Sequence, residues 1–227
     1  MKKAQIVLWQ FFIALIPALY LLSIWGTLPD TIPTHFNANF EADRFGNKSE
    51  ILVFLLIMVF VSLVISLLLN NLNSIDPKKR YEGTNQLMIK ISWTVVIFLS
   101  LLTTLIIYTT AHYTAKNTGS LILKYIFVLV ALLFTAMGYF MKTLKPNYFV
   151  GIRTPWTLEN EENWRKTHLL GSKIWVWGGM ITFLLVLLIP GAYTHYIFIC
   201  AVIPMALIPI GYSFLLFRET QRMDNPK

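Results

Sequence analysis

The sequence predicts an all-α, polytopic integral membrane protein with six transmembrane helices and both termini in the cytosol. Three observations carry that prediction. Of 227 residues, 56% are hydrophobic and 13% charged, where a soluble domain carries about 25% charged residues. The hydrophobic residues gather in blocks of about 20, the length with which a helix crosses roughly 30 Å of hydrocarbon. The basic residues between blocks fall very unevenly on the two faces.

The blocks run over 6–26, 51–71, 91–111, 121–141, 174–190 and 196–217, and their central parts hold no Asp, Glu, Lys, Arg or His. Lys124 and Lys173 fall at block ends, where a long side chain can snorkel to the headgroups. Backbone polar groups have no water to pair with in lipid, so each block is expected as a helix. Barrel strands would be about ten residues long with alternating polarity. The first block is too long for a signal peptide and lacks a small-x-small cleavage site, so it reads as a retained helix, bent at Pro17. Pro204 and Pro209 predict breaks in the sixth block, and Gly178–Gly179 predicts close helix packing in the fifth. The span hydroxyls, Ser62, Ser66, Ser92, Ser100, Thr103, Thr104, Thr135 and Thr182, are expected to bond back to their own helices. Cys200 stands alone, so no intrachain disulfide forms and packing is its simplest role.

Orientation follows from lysine and arginine. The N-terminus, second loop, fourth loop and C-terminus hold 15 of the 19 basic residues; Arg44, Lys48, Lys116 and Lys124 make up the alternate set. The positive-inside rule places the richer set in the cytosol. It also accounts for the net charge of +8, so nucleic-acid binding is not needed to explain the high pI. The run Lys78, Lys79, Arg80 in the second loop reads as a cytosolic charge anchor. No nucleophile–base set, P-loop or dinucleotide signature is present. No catalytic residue, metal ligand set or cofactor is assigned, and the protein is not expected to be an enzyme. Buried ionisable residues, which ion-coupled transporters use at the midplane, are missing from the blocks. Function is therefore sought in the two long loops.

The cytosolic loop, 142–173, contains "KPNYFVGIRTPWTLENEENWRKTHLLG". Pro146 and Asn147 favour a turn, Gly151 permits backbone that other residues resist, and Pro155 holds Thr154 extended. Thr157 reads as the N-cap of a short amphipathic helix over 158–170 that Gly171 ends. Glu161–Arg165 and Glu162–Lys166 are acid-first i,i+4 pairs. The helix is expected on the membrane surface, with Trp156 and Trp164 at headgroup depth and Trp164 one turn from His168. Arg153 has no carboxylate near it in sequence until Glu159 and so calls for an anionic or carbonyl partner. Simple bracing of the flanking helices is the competing reading of the whole segment.

The ordered run Asn147, Gly151, Ile152, Arg153, Thr154, Pro155, Trp156, Thr157, Leu158, then Trp164, Lys166, Thr167 and His168, resembles the signature of the SdpI family, bacterial polytopic proteins. The outer loop, 27–50, is similar to a segment that often precedes that signature, matching it at Leu28, Pro29, Ile32, Pro33, His35, Asn37, Asp43, Gly46 and Lys48. It departs at Phe40, where a Gly often stands, and at Ala42, where a Pro stands. The resemblance implies two regions: 1–72, a helix hairpin with the long extracellular loop, and 73–227, four helices with the cytosolic signature loop. It also implies a plasma-membrane immunity protein that resists a secreted peptide toxin, and a relay of toxin binding to a cytosolic transcriptional repressor.

Physically, the outer loop is stiffened by Pro29 and Pro33, slightly acidic, and carries Phe36, Phe40 and Phe45 on an apolar side. Such a surface suits capture of an apolar or cationic peptide, or a plug on the helix ends. Outer binding is expected at Pro33, His35, Asn37, Asp43, Gly46 and Lys48, and relay at Arg153, Trp156 and Trp164. Two other readings stand beside this one: an exporter of an amphiphilic peptide, and a metal-dependent enzyme or sensor using the outer histidines His35, His112 and His195.

Overall fold

The computed structural model describes residues 2–37, 41–75, 84–113 and 118–224. Lys78, Lys79, Arg80, Phe40 and Lys116 lie outside the described residues. Six helical segments are long and apolar enough to cross a bilayer, and the chain is a multi-pass membrane protein. Six crossings put both termini and residues 142–160 on one side, here the terminal side, and residues 27–49 on the other.

The first span is two helices, α1 (Lys3–Ala14) and α2 (Ile16–Ile24), broken at Leu15. Pro17 explains the break: it has no N–H for the carbonyl of Ile13, four residues back. That carbonyl accepts instead from the Ser100 hydroxyl, at 2.8 Å. Ser100 therefore bonds across helices rather than back along its own.

Between the first two spans the chain forms an antiparallel hairpin of β1 (Thr31–Phe36) and β2 (Ala42–Asn47), the one piece of sheet among the described residues. Ile32 faces Gly46 and Pro33 faces Phe45, with irregular register around His35. Leu28 and Ile32 anchor the hairpin in a core with Leu21, Ile51, Leu55 and Ile107. β1 packs on the third span, α5 (Thr84–Ala111).

The second span is α3 (Glu50–Asn70), followed by the short α4 (Leu72–Ile75). The third and fourth are α5 (Thr84–Ala111) and α6 (Thr118–Met141). α7 (Pro155–Glu159) is a single turn. α8 (Glu161–Leu188) is the fifth span, and after a 3₁₀ turn at Gly191–Tyr193, α9 (Thr194–Asp224) is the sixth.

Several expectations are corrected here. The helix expected over 158–170 does not end at Gly171; it is the first part of α8, which runs unbroken for 28 residues. Gly171 is required for space instead: a Cβ there would lie 2.7 Å from Met141 Sδ and 2.9 Å from Ile152 Cδ1. A helix of that length extends about 42 Å, longer than the roughly 30 Å hydrocarbon core. Its first turns therefore stand on the terminal side. Pro204 and Pro209 do not break α9 either. The Met205 carbonyl, which Pro209 leaves without a helical donor, accepts from Trp175 Nε1 at 2.9 Å.

α8 is the hub. It packs along α6 and against α9, and glycines set the approach. A Cβ on Gly138 would lie 2.7 Å from Val176 N, and one on Gly179 2.8 Å from Ala131 O. Close packing through small residues is how membrane helices gain dispersion contact without a hydrophobic drive. At the far end Lys124 does not snorkel away; its Nζ donates to Leu187 O at 2.7 Å and Ile189 O at 3.3 Å, capping α8. Those carbonyls lie at and just past the end of α8, where no helical donor follows.

Ser62, Thr103, Thr104, Thr135 and Thr182 donate back four residues along their own helices. Ser92 donates back three residues, to Ile89 O at 2.9 Å, whereas Ser66 donates across to Gln10. With Gln10 and Asn70 they form a buried polar cluster that joins α1, α3 and α5. Gln10 Nε2 donates to Ser92 Oγ at 2.7 Å, and Gln10 Oε1 accepts from Ser66 Oγ at 2.5 Å and Asn70 Nδ2 at 3.0 Å.

Candidate functional site: the 142–173 knot and the hairpin

After α6, Asn147 builds the turn. It is fully buried. Its Nδ2 donates to Lys145 O at 3.0 Å and Val150 O at 2.9 Å, while its Oδ1 accepts from Phe149 N at 2.9 Å and Val150 N at 2.7 Å. The amide's whole hydrogen-bonding capacity goes into one loop.

Gly151 follows with φ of +116°, a region that favours glycine. A Cβ there would also lie 2.5 Å from His168 Nε2 and 3.2 Å from the Trp164 ring. His168 is buried. Its Nδ1 pairs with Trp164 O at 2.8 Å and its Nε2 accepts from Ile152 N at 3.0 Å. Accepting from a backbone N–H requires a lone pair on Nε2, so the ring is neutral with its proton on Nδ1. The Trp164 ring stacks on His168 with centroids 4.0 Å apart, and Trp164 Nε1 donates to Leu144 O at 2.8 Å. Asn147, Gly151, Trp164 and His168 thus form one knot that ties the loop to the first turns of α8. Leu144, Trp164 and Met141 share a core with Leu72, Met88 and Ile91.

Thr154, not Thr157, caps α7. Its hydroxyl accepts from Thr157 N at 3.3 Å, Thr157 Oγ1 accepts from Thr154 N at 2.9 Å, and Pro155 opens the turn. Thr157 Oγ1 also lies 2.9 Å from Ile152 O. Asn160 caps α8 by accepting from Asn163 N at 2.9 Å.

The tryptophans expected on a surface helix at headgroup depth serve packing. Trp164 is 1% exposed. Trp156 donates to Ser213 Oγ at 2.7 Å and stacks on Phe217 at 5.6 Å. Asn163 Nδ2 donates to Ser213 O at 2.9 Å, so two loop residues hold one point of α9. Ser213 and Asn163 escaped sequence reading, although each is a polar residue at an inward helical position. Arg165 is held by Glu162 at i,i+3, with contacts of 2.9 and 2.7 Å, and Lys166 lies 3.4 Å from the same carboxylate.

Arg153 differs from the rest of the signature. Its carbonyl partner is Tyr148 O, which one guanidinium nitrogen reaches, and the side chain is otherwise exposed. A hollow of about 730 Å³ opens nearby, lined by Leu144, Lys145, Pro146, Glu161, Glu162, Trp164 and Arg165.

The hairpin gathers all six outer-loop residues. Pro33 is buried beneath it. His35 Nδ1 lies 2.6 Å from Asp43 Oδ1. Asn37 bridges the turn: its Nδ2 donates to Glu41 Oε2 at 3.2 Å and its Oδ1 accepts from Glu41 N at 3.0 Å. Gly46 leaves room for the Glu50 carboxylate. Lys48 Nζ reaches Asp30 at 2.9 Å and lies 5.6 Å from the centroid of the Trp25 ring. Its hydrogen bond, and then its charge, hold the Asp30 carboxyl below the usual carboxylate range. Phe36 and Phe45 both meet the Tyr113 ring edge to face, at 5.7 and 6.2 Å, and Phe45 stays half-exposed.

The outer histidines are dispersed. His35 pairs with Asp43, and His112 Nδ1 contacts Tyr108 O at 2.8 Å. His195 packs on Tyr196. Among the described residues no three His, Cys, Asp or Glu side chains stand where they could share a metal ion.

Comparison with known proteins agrees with these two structured segments. Residues 143–213 match the SdpI/YfhL protein family and residues 12–59 match DUF1648, a domain of unknown function. An uncharacterized protein of Archaeoglobus fulgidus is 51% identical over 35 residues, 15% of this chain. The chain spans 19% of that relative's length. No solved structure matches. The loop-and-α8 knot and its dock on α9 thus fall within the SdpI/YfhL match, the hairpin falls within the DUF1648 match, and the chain is an SdpI-like membrane protein with a preceding DUF1648 region.

Proposed function

We propose that this protein sits in a bacterial plasma membrane and protects its cell from a secreted peptide toxin. Region 1–72 captures the toxin outside, at the hairpin. His35 and Asp43 offer a polar edge there, Asn37 holds the turn, and Pro33, Gly46 and Lys48 keep the hairpin rigid. Region 73–227 reports capture inside, where the Arg153 face, positioned by Trp156 and Trp164, retains a transcriptional repressor. The observation that carries this reading is the SdpI/YfhL match over 143–213. Within it Asn147, Thr157, Trp164, Thr167 and His168 pack inward, while the Arg153 side chain is exposed. A scaffold that spends many of its polar groups internally and leaves the Arg153 guanidinium at its surface suits recognition rather than chemistry.

The test is expression in a sensitive bacterium challenged with secreted peptide toxins. Survival is expected, and His35→Ala or Asp43→Ala should remove it at unchanged membrane abundance. His112→Ala and His195→Ala should keep it. Equal killing with and without the protein, across the toxins tried, sinks the reading. Loss of protection with all three histidine variants would favour a metal site.

A further inference from the structure

The 145–153 turn is built to display residues as well as to connect helices. Asn147 spends four hydrogen bonds to close it, and Trp164 and His168 pin its two ends. What this rigid turn holds outward is apolar: Tyr148 is 42% exposed and Phe149 38%. Cations stand on both sides of it along the chain. Lys142 lies 4.2 Å from the Tyr139 ring centroid, on the last turn of α6, and Tyr139 is 59% exposed toward the lipid. Lys145 and Arg153 flank the aromatic tip in sequence and are exposed. Among the described residues none of these three cations has a carboxylate partner. Over 142–173 there are six basic residues against three acidic ones, and Glu162 is already paired with Arg165 and Lys166.

Depth is set by packing. The fourth apolar span ends at Met141, and Met141 and Ile152 both approach α8 at Gly171, so the turn begins where α6 leaves the hydrocarbon. Aromatic rings beside uncompensated cations at that level match the chemistry of a phospholipid headgroup.

We propose that Lys142, Lys145 and Arg153, with the Phe149 ring as anchor, form a docking site for an anionic phospholipid headgroup of the leaflet on the terminal side. The cations meet the phosphodiester and the ring enters the ester region. The site shares Arg153 with the proposed repressor face but does not rest on the immunity reading, because lipid retention is read with neither toxin nor repressor present.

Native mass spectrometry of the purified full-length protein tests it, with phosphatidylglycerol and phosphatidylcholine of the same chain length. The protein should retain phosphatidylglycerol preferentially, and Lys142→Ala/Lys145→Ala/Arg153→Ala should lose about fivefold of that preference per cation removed. The single variants Lys142→Ala and Lys145→Ala, at exposed positions, keep the result readable if the triple variant misfolds. Lys2→Ala/Lys3→Ala, on the same side, should leave the preference intact. Equal retention of both lipids overturns the proposal, and so does an equal loss in the Lys2/Lys3 variant. Displacement of the lipid by millimolar inorganic phosphate would also overturn it, because the site would then read a free anion. A phosphatidylglycerol preference that persists undiminished in the triple variant overturns the proposal as well.

Discussion

The indole nitrogen of Trp175 lies 2.9 Å from the carbonyl oxygen of Met205, the acceptor that Pro209 strips of its helical donor. The Ile13 carbonyl, stripped by Pro17, is matched by Ser100 in the same way. In lipid a freed carbonyl has no water to turn to, so a neighbouring helix must supply the donor. Trp175→Phe should keep the packing and lose the bond, costing about 0.6–2 kcal/mol. Adding Pro209→Ala restores the internal donor and should recover most of that loss. A double-mutant cycle read by denaturant unfolding in micelles checks it; additive losses would refute it.

Gly151→Ala meets two obstacles, the positive φ and the His168 ring. It should destabilise by about 1–3 kcal/mol. His168→Ala removes the ring, so the double variant should cost less than the two single losses combined. Thermal unfolding of the three variants measures this.

The Gln10–Asn70 pair sits in a closed polar cluster. Replacing either residue by Leu strands its partners, at about 1–3 kcal/mol. Replacing both by Leu should cost less than the two single changes together, because fewer stranded groups remain. Unfolding midpoints for the two single variants and the double variant decide it.

The Asp30 carboxyl titrates below its ordinary range because Lys48 holds it. A folded value below the unfolded one means the pair supports the hairpin above the ordinary value and stops doing so as pH falls through the lowered one. The Lys48 amide, bonded to Asp30 O at 3.0 Å, should lose exchange protection only at that acid end. Lys48→Met should abolish the step. Hydrogen exchange against pH, corrected for intrinsic rates, reads it out.

Arg153→Ala should insert and accumulate near normally, since only one contact of the side chain is internal, yet remove protection or its relay. Disappearance from the membrane would make the residue a brace. Sidedness can be checked in a Cys200→Ser background: Phe149→Cys should label only from the cytosol and Arg44→Cys only from outside.

The spans were legible because lipid imposes one simple demand, about 20 apolar residues without charge. The interruption of the first span was equally readable from Pro17. What escaped reading depends on partners elsewhere in the chain. Trp164 and His168 look like one stripe of a surface helix, but the loop they face belongs to this same protein, so the apparent surface is an interior. Pro209 promised a break because the rescuing donor, Trp175, lies in another helix. The β1 strand was hidden by Pro33, which demotes a strand in sequence and is tolerated here in a two-stranded ribbon. Gln10 is a single polar residue in an apolar run and Asn70 closes another beside Asn71, and only their meeting gives them meaning. The signature residues were legible, but the inward orientation of Asn147, Thr157, Trp164, Thr167 and His168 was not.

Lys124 grips one end of α8 from α6, and Met141 of α6 abuts Gly171 toward the other, with the tight approach at Gly138 and Gly179 between. A rod fastened to the same post at top, middle and bottom has no room to slide or pivot against it. α6 and α8 must therefore travel as a single rigid spar, and any rearrangement within the membrane has to occur along that spar's borders with α5 or α9.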